Sequence, residues 1–239
     1  MRLTQFLSQA GVCSRRAASR LILDGKVQLN QVTATPHCRF EGHESVTVDG
    51  KQIVLAEQPL YVLYHKPVGV DCNCRPNDPA SIMNQLNLPQ RLFPVGRIDK
   101  DSRGLMLLTN DGELCHRLLS PRYQHSKEYV VEVRPHSPNS VLNESFKQQM
   151  ETGVQLDDRL TLPCEVTLLS SYRFKIRLTQ GLNRQIRRMC RALGFHVIDL
   201  QRTRILFLTL DGLEERQWRH LSPVEIKNLQ SELVSSLNI

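Results

Sequence analysis

Four arginines, Arg184, Arg187, Arg188 and Arg191, recur at i, i+3, i+4 and i+7, so a helix through them would carry all four guanidinium groups on one side. Ile186, Met189, Cys190 and Leu193 would line the other side. Like charges stacked in this way repel unless anions neutralise them. A phosphate backbone would do so, releasing counterions and making binding strongly salt-dependent. Arginine suits this better than lysine because its planar fork binds phosphate oxygens bidentately. Just upstream, Arg173, Lys175 and Arg177 alternate with Phe174, Ile176 and Leu178, as in a strand with one wet face and one core face. From Val166 to Ile198 there are seven basic residues and no Asp or Glu. A second basic group opens the chain, where Arg2, Arg15, Arg16, Arg20, Lys26 and Arg39 face a single acid, Asp24, within residues 1–40. A solvated face normally mixes signs. Both groups are therefore read as phosphate or RNA contacts.

Other residue types signal less. Cys72-Asn73-Cys74 has one intervening residue, which does not match the CxxC of zinc ribbons, and His116, His125 and His196 are too dispersed in sequence to indicate a metal site. The seven cysteines form no disulfide-like framework and fit reduced thiols in a cytoplasmic protein. Asp99, Asp101 and Asp111 lie near glycines, where an aspartate by itself is usually a turn or capping residue. The net charge of +7 points to a polyanionic partner. No apolar run approaches the ~18 residues of a membrane span, and the first residues contain no signal-peptide core, so no membrane partner is expected. Aromatics are only 5% of the chain, too few for a stacking platform on single strands, so a folded RNA fits better.

The elements that must position these groups are legible in part. Leu3, Phe6, Leu7 and Ala10 carry a helical stripe ended by Gly11, and Ser14 can cap a second helix that turns Ala17, Ala18, Leu21 and Ile22 inward. Asp24-Gly25 breaks that helix before a strand near Lys26 to Asn30, and Asp49-Gly50 predicts a hairpin between Val46–Val48 and Ile53–Leu55. This unit closes at about residue 55, with Ala56 to Pro59 as a linker. Beyond it the clearest strands are Tyr61–Tyr64, Leu105–Thr109, Tyr129–Val133 and Val166–Leu169, with turns at Asn110-Asp111-Gly112 and Gln180-Gly181. Helices are expected over about 140–150 and 183–193. Strands outnumber helices without regular alternation, which predicts an α+β domain with a mixed, largely antiparallel sheet.

Four segments in order carry a resemblance: His65-Lys66-Pro67-Val68-Gly69, Gly96-Arg97-Ile98-Asp99-Lys100-Asp101-Ser102-Arg103-Gly104-Leu105, Ser126-Lys127-Glu128-Tyr129 and Gln180 to Met189. Together they resemble the motifs of the RsuA/RluB/RluF family of RNA pseudouridine synthases, with His65 where the family usually has Asn. Ser14-Arg15-Arg16 and Gly25-Lys26-Val27 resemble its S4 RNA-binding module. The stretch Leu182 to Cys190 is most similar to the RluF type, which modifies large-subunit ribosomal RNA.

The resemblance implies an S4-like domain over 1–55, a linker over 56–59 and a catalytic domain over 60–239. It implies Asp99 as the nucleophile or base, Arg187 as its guanidinium partner, Tyr129 stacked on the target base, Ile186 packed beneath it, and Arg97 filling the space the flipped base vacates. A carboxylate kept in a water-poor pocket needs such a cation, since burial alone favours its neutral form. The reaction needs no redox change or energy input, so no cofactor and no metal are expected. Expected partners are ribosomal RNA, chiefly 23S, with 16S or a tRNA as alternatives, and the default state is a monomer. A non-catalytic ribosome-assembly protein is the competing class. Arg15, Arg16, Arg20, Lys26, Arg173, Lys175, Arg177, Arg184, Arg188 and Arg191 are assigned to RNA phosphates. Replacing Arg15 and Arg16 by alanine should weaken RNA binding and flatten the log–log salt slope by about 1 per lost contact, read by filter binding across a salt series. An unchanged slope would exclude these two from the phosphate interface.

Overall fold

The computed structural model describes residues 1–55, 58–86, 88, 90–157 and 159–235; the first half of the expected linker, Ala56 and Glu57, lies outside them. At the N-terminus, α1 (Leu3–Gln9) buries Leu3, Phe6 and Leu7 and ends before Gly11 at φ +78°. The Ser14 hydroxyl accepts the Ala17 amide and caps α2 (Arg15–Leu23), whose Ala18 and Ile22 pack on Val27 and Val46. The four short strands β1 (Val27–Leu29), β2 (Val32–Thr33), β3 (Val46–Val48) and β4 (Lys51–Ile53) form a sheet in the order β2-β1-β3-β4. The hairpin is tighter than expected. Asp49 and Gly50 both take positive φ, 47° and 76°, so the turn has only two residues and Val48 pairs with Lys51. The second strand therefore starts two residues before Ile53, and Val54 is exposed.

The larger domain comprises β5 (Tyr61–Lys66), β6 (Phe93–Pro94), β7 (Arg103–Thr109), α3 (Gly112–Leu119), β8 (Lys127–Pro135), α4 (Glu144–Thr152), β9 (Gln155–Leu156), β10 (Arg159–Leu160), β11 (Glu165–Ser170), β12 (Arg173–Leu178), α5 (Gln185–Ala192), β13 (Phe195–Ile205), β14 (Leu208–Thr209), β15 (Trp218–His220) and α6 (Pro223–Ser235). Its main sheet runs β11-β12-β8-β13-β7-β5-β15 and is antiparallel at every step except β13–β7. The expected α+β architecture is the observed one.

Alternation along the strands assigns the two sides of the sheet. Tyr129, Val131, Val133, Phe174, Ile176 and Leu178 meet Phe146 and Met150 of α4 and Met189 and Cys190 of α5. On the other half, Leu63, Leu105 and Leu107 meet Leu114 and Leu118 of α3 and Leu229 of α6, while Val62, Tyr64, Met106 and Leu108 pack against Val70, Cys72, Ile82 and Ile98. Tyr129 touches both the α4–α5 core and this last cluster, so it stands at the join.

Two helices escape the sequence reading. Asn110-Asp111-Gly112 is not a turn: the Asp111 carboxylate accepts the Glu113 and Leu114 amides and caps α3, while its other oxygen accepts the Tyr61 hydroxyl at 2.8 Å. Turn and cap call for the same residue type, and only the following apolar face separates them. α6 begins with a capping box in which Ser222 and Glu225 exchange amide bonds, a signal present in Ser222-Pro223-Val224-Glu225.

The halves of the sheet join where Gly104 pairs in parallel with Arg202. A β-carbon at Gly104 would lie 2.5 Å from the Arg202 backbone nitrogen, and φ there is +117°. Gly104→Ala should cost about 2–4 kcal/mol through this clash and the forbidden backbone angle, seen as a lower urea midpoint with unchanged m. A midpoint equal to wild type would mean the strands part more easily than their packing indicates.

Candidate active site

A cleft of about 750 Å³ opens on the side of the sheet that carries Tyr129. Its walls are the loop between β6 and β7 (Gly96 to Ser102), the Ser120–Lys127 segment, and the Leu178–Ile186 segment that leads into α5. Asp99 sits in the first wall, with its side chain 30% exposed. The loop is held from several directions: the Cys72 thiol donates to Ile98 O at 3.3 Å, the Gly69 amide to Lys100 O at 2.8 Å, and the Ser102 amide to Asp99 O at 3.0 Å. Lys66, fully buried, donates from Nζ to Pro67 O and Val70 O and so shapes the turn that supplies the Gly69 amide. All four sequence motifs thus meet at one place.

The guanidinium beside Asp99 is not the one expected. Arg184 Nη1 lies 3.6 Å from Asp99 Oδ2, and the same group forks onto both oxygens of Asp101 at 3.1 and 2.7 Å. Arg187 instead donates to Asp101 O at 2.8 Å, Ser102 Oγ at 3.1 Å and Val197 O at 3.2 Å, leaving its buried Nε without a partner. The reason is local. Arg184 is not in the helix but precedes it in the left-handed conformation, φ +48°, which takes it out of the i, i+3, i+4 row and aims it at the aspartate loop. Arg187, one turn inside α5, braces that loop through its backbone. Asp101, expected to be a capping or turn aid, is the anchor for both; the bond from Arg184 holds its carboxyl below the usual carboxylate range.

Tyr129 and Ile186 line the cleft, Ile186 buried and Tyr129 partly so, and Arg97 is exposed at its lip. Arg97 also lines a second crevice, of about 550 Å³, together with Gln5, Ser14 and Arg15 of the N-terminal unit and Arg91 and Cys115 of the larger domain. Arg16, Arg20 and Lys26 are exposed. The strand arginines fall elsewhere. Arg173, Lys175 and Arg177 point to the side of the sheet opposite Tyr129, where Arg177 meets Glu165 at 3.2 Å and Glu128 at 3.9 Å. Arg188 pairs with Asp157 at 2.6 Å. Thus the charge of the acid-free run is met partly by carboxylates distant in sequence, a pairing that no window of residues could reveal. Among the described residues, Arg173, Lys175 and Arg191 have no carboxylate within ion-pair distance.

Sequence reasoning gave no role to three polar residues of the cleft: His125, Lys127 and Arg202. Arg202 is 2% exposed and donates to Leu105 O and Met106 Sδ. Lys127 donates to His125 O at 2.9 Å, and burial, helped by Arg202, pushes its ammonium down to about 8. Arg202 gave little signal, since a basic residue in a strand reads as its wet edge, whereas Lys127 stood in the Ser126-to-Tyr129 motif with no role assigned to it.

The model of the RNA pseudouridylate synthase family matches residues 60–192, and that of the S4 domain matches residues 1–46. The dual-specificity RNA pseudouridine synthase RluF of Escherichia coli (strain K12) is 38% identical over 231 residues, covering 96% of this chain and 78% of its own length. The ribosomal large subunit pseudouridine synthase B of Bacillus subtilis (strain 168) is 38% identical over 239 residues, covering 96% of each chain. A crystal structure of a pseudouridylate synthase matches with a TM-score of 0.69 at 28% identity, covering 96% of this chain and 99% of that one.

Lys127 carries a stability consequence. Its folded value of about 8 lies below the ~10.4 of an unfolded lysine. Between the two the unfolded chain binds more protons, so this group makes stability rise with pH through that window. Lys127→Met should accordingly melt higher than wild type below pH 8, with the gap closing toward pH ~10.4. A gap that does not depend on pH would show that Lys127 is not desolvated.

Proposed function

The chain belongs to the RNA pseudouridylate synthase family and carries an S4 domain, and from that premise we propose that it isomerises one uridine in a stem-loop of 23S ribosomal RNA with Asp99 as the working carboxylate. Isomerase activity on RNA follows from the family. The large-subunit target is supported by the name of the Bacillus subtilis relative, which aligns over nearly its full length. The observation that carries the role of Asp99 is its place in the cleft that Tyr129 and Ile186 also line, with Arg184 as counter-charge.

The chemistry follows from that arrangement. The target base leaves its stack at a cost of a few kcal/mol and enters between Tyr129 and Ile186, with Arg97 at the lip placed to occupy the gap in the RNA. Asp99, with the Arg184 guanidinium 3.6 Å away, acts on the sugar as nucleophile at the anomeric carbon or as base. Arg187 keeps the aspartate loop in position through Asp101 and Ser102. Ordered donors that fix a charged group before reaction spare the cost of reorganising it during reaction. The S4 domain and the exposed arginines supply affinity. The same reading places the protein in the cytoplasm with its RNA, in keeping with seven free thiols.

The dual-specificity label of the Escherichia coli relative favours testing a second RNA, and a tRNA stem-loop or small-subunit rRNA is the next substrate to try. Tritium release from large-subunit transcript labelled at uridine C5 tests the proposal. Wild type should release tritium, and Asp99→Asn should lose at least about 10³-fold in rate while its Kd for RNA stays within a few-fold. Equal release by both proteins would remove Asp99 from the centre of the reaction.

A further inference from the structure

Lys127, Tyr129 and Arg202 share one side of the sheet. Lys127 and Tyr129 are two apart on β8, and Arg202 of β13 stands in register opposite Tyr129. All three line the cleft that holds Asp99. The two cations have no carboxylate within ion-pair distance among the described residues; backbone carbonyls and a thioether hold them instead. Next to them His125 is 6% exposed, and its buried Nε2 has no hydrogen-bond partner among the described residues although the residue lines the same cleft. A folded chain seldom leaves two desolvated cations and an orphan ring nitrogen side by side, because each costs stability. Such a cluster makes sense where an anion is expected.

The isomerisation proposed above supplies that anion, and the inference rests on it. When the N1–C1′ bond breaks, both electrons stay on the ring. Uracil then carries one negative charge spread over N1, O2 and O4, while C1′ is taken up by the Asp99 carboxylate or becomes part of a glycal by loss of the C2′ proton. The ring turns and C5 bonds to C1′ as the Asp99–C1′ bond breaks, or as the proton taken from C2′ returns to the glycal; the C5 proton then departs and N1 gains a proton, so the sum is an isomerisation. We propose that the Lys127 ammonium, backed by Arg202, is a further catalytic group that stabilises the detached uracil anion stacked on Tyr129. Lys127 gives up no proton in this role. It supplies a fixed positive field at the place where charge develops, in a setting where that field is little screened. Asp99 and Arg184 act at the sugar, and Lys127 and Arg202 act at the base.

The other charged groups around the cleft fit this division. Asp71, Arg97 and Lys100 lie along the β5–β7 side, Arg184 precedes α5, and His125 precedes Lys127, while β12 offers only apolar Leu178 opposite it. The amine that burial pushes down to about 8 is charged below that pH and neutral above it. The free-enzyme parameter kcat/KM should therefore fall as pH rises through about 8.

Tritium release from the 5-labelled transcript, followed from well below to well above pH 8, tests this with wild type, Lys127→Met and Lys127→Arg. Lys127→Met should lose roughly 10²–10³-fold in the chemical step with its Kd for RNA little changed. Lys127→Arg should recover part of that loss and shed the alkaline limb, because guanidinium does not titrate there. A merely structural lysine would not move a pH limb. Turnover by Lys127→Met within a few-fold of wild type, or a limb that persists in Lys127→Arg, would overturn this role and leave the isomerase reading standing. No release by wild type from large-subunit, small-subunit or tRNA transcripts would overturn both.

Discussion

The close parallel approach of Gly104 to Arg202 is the constraint on which the rest of the larger domain depends. Each half of the main sheet has its own apolar cover, and the halves meet through the two register pairs Arg103–Gln201 and Gly104–Arg202. The aspartate loop runs straight into β7 at this point, so the relation of Asp99 to Tyr129 on β8 is set by how β7 lies against β13. Any side chain at position 104 would separate the strands. The bidentate pair between Arg103 and Asp199, at 2.9 and 2.7 Å, closes the same joint from the opposite side of the sheet.

Electrostatics add a second layer. Arg184 and Arg187 leave the neighbourhood of α5 to hold the aspartate loop, one through carboxylates and one through backbone and hydroxyl oxygens. Positive charge near α5 therefore has two destinations. Part is consumed within the protein, by Asp101 and Asp157, and, among the described residues, part stays open on Arg191. Lys66, Lys127 and Arg202 form a third set, buried or partly buried and held by uncharged acceptors. Keeping cations there lowers stability, and proteins tolerate such costs mainly at working sites.

The helices, the first strand and the hairpin turn of the N-terminal unit were legible because their signals are local, while β2 and the start of β4 were not. Ser14 caps within three residues, Gly11 and Gly25 end helices by their own backbone angles, and Asp49-Gly50 sets a two-residue turn. The same locality explains the misreadings. Asp111 looks alike as a turn residue or a cap until the burial of Leu114 and Leu118 against the sheet decides the matter. Arg184 looked like the first residue of a helical row because spacing carries no record of a positive φ.

The sequence by itself determined the family, the S4-like start and the α+β class, since motif order and strand alternation are properties of neighbours along the chain. Tertiary structure alone decided which arginine faces Asp99, which side of the sheet Arg173, Lys175 and Arg177 occupy relative to the cleft, and that Lys127 and Arg202 share the cleft with Tyr129. Ion pairing and desolvation depend on distances of a few ångströms between residues up to a hundred positions apart, and only the packed sheet brings those residues within that range.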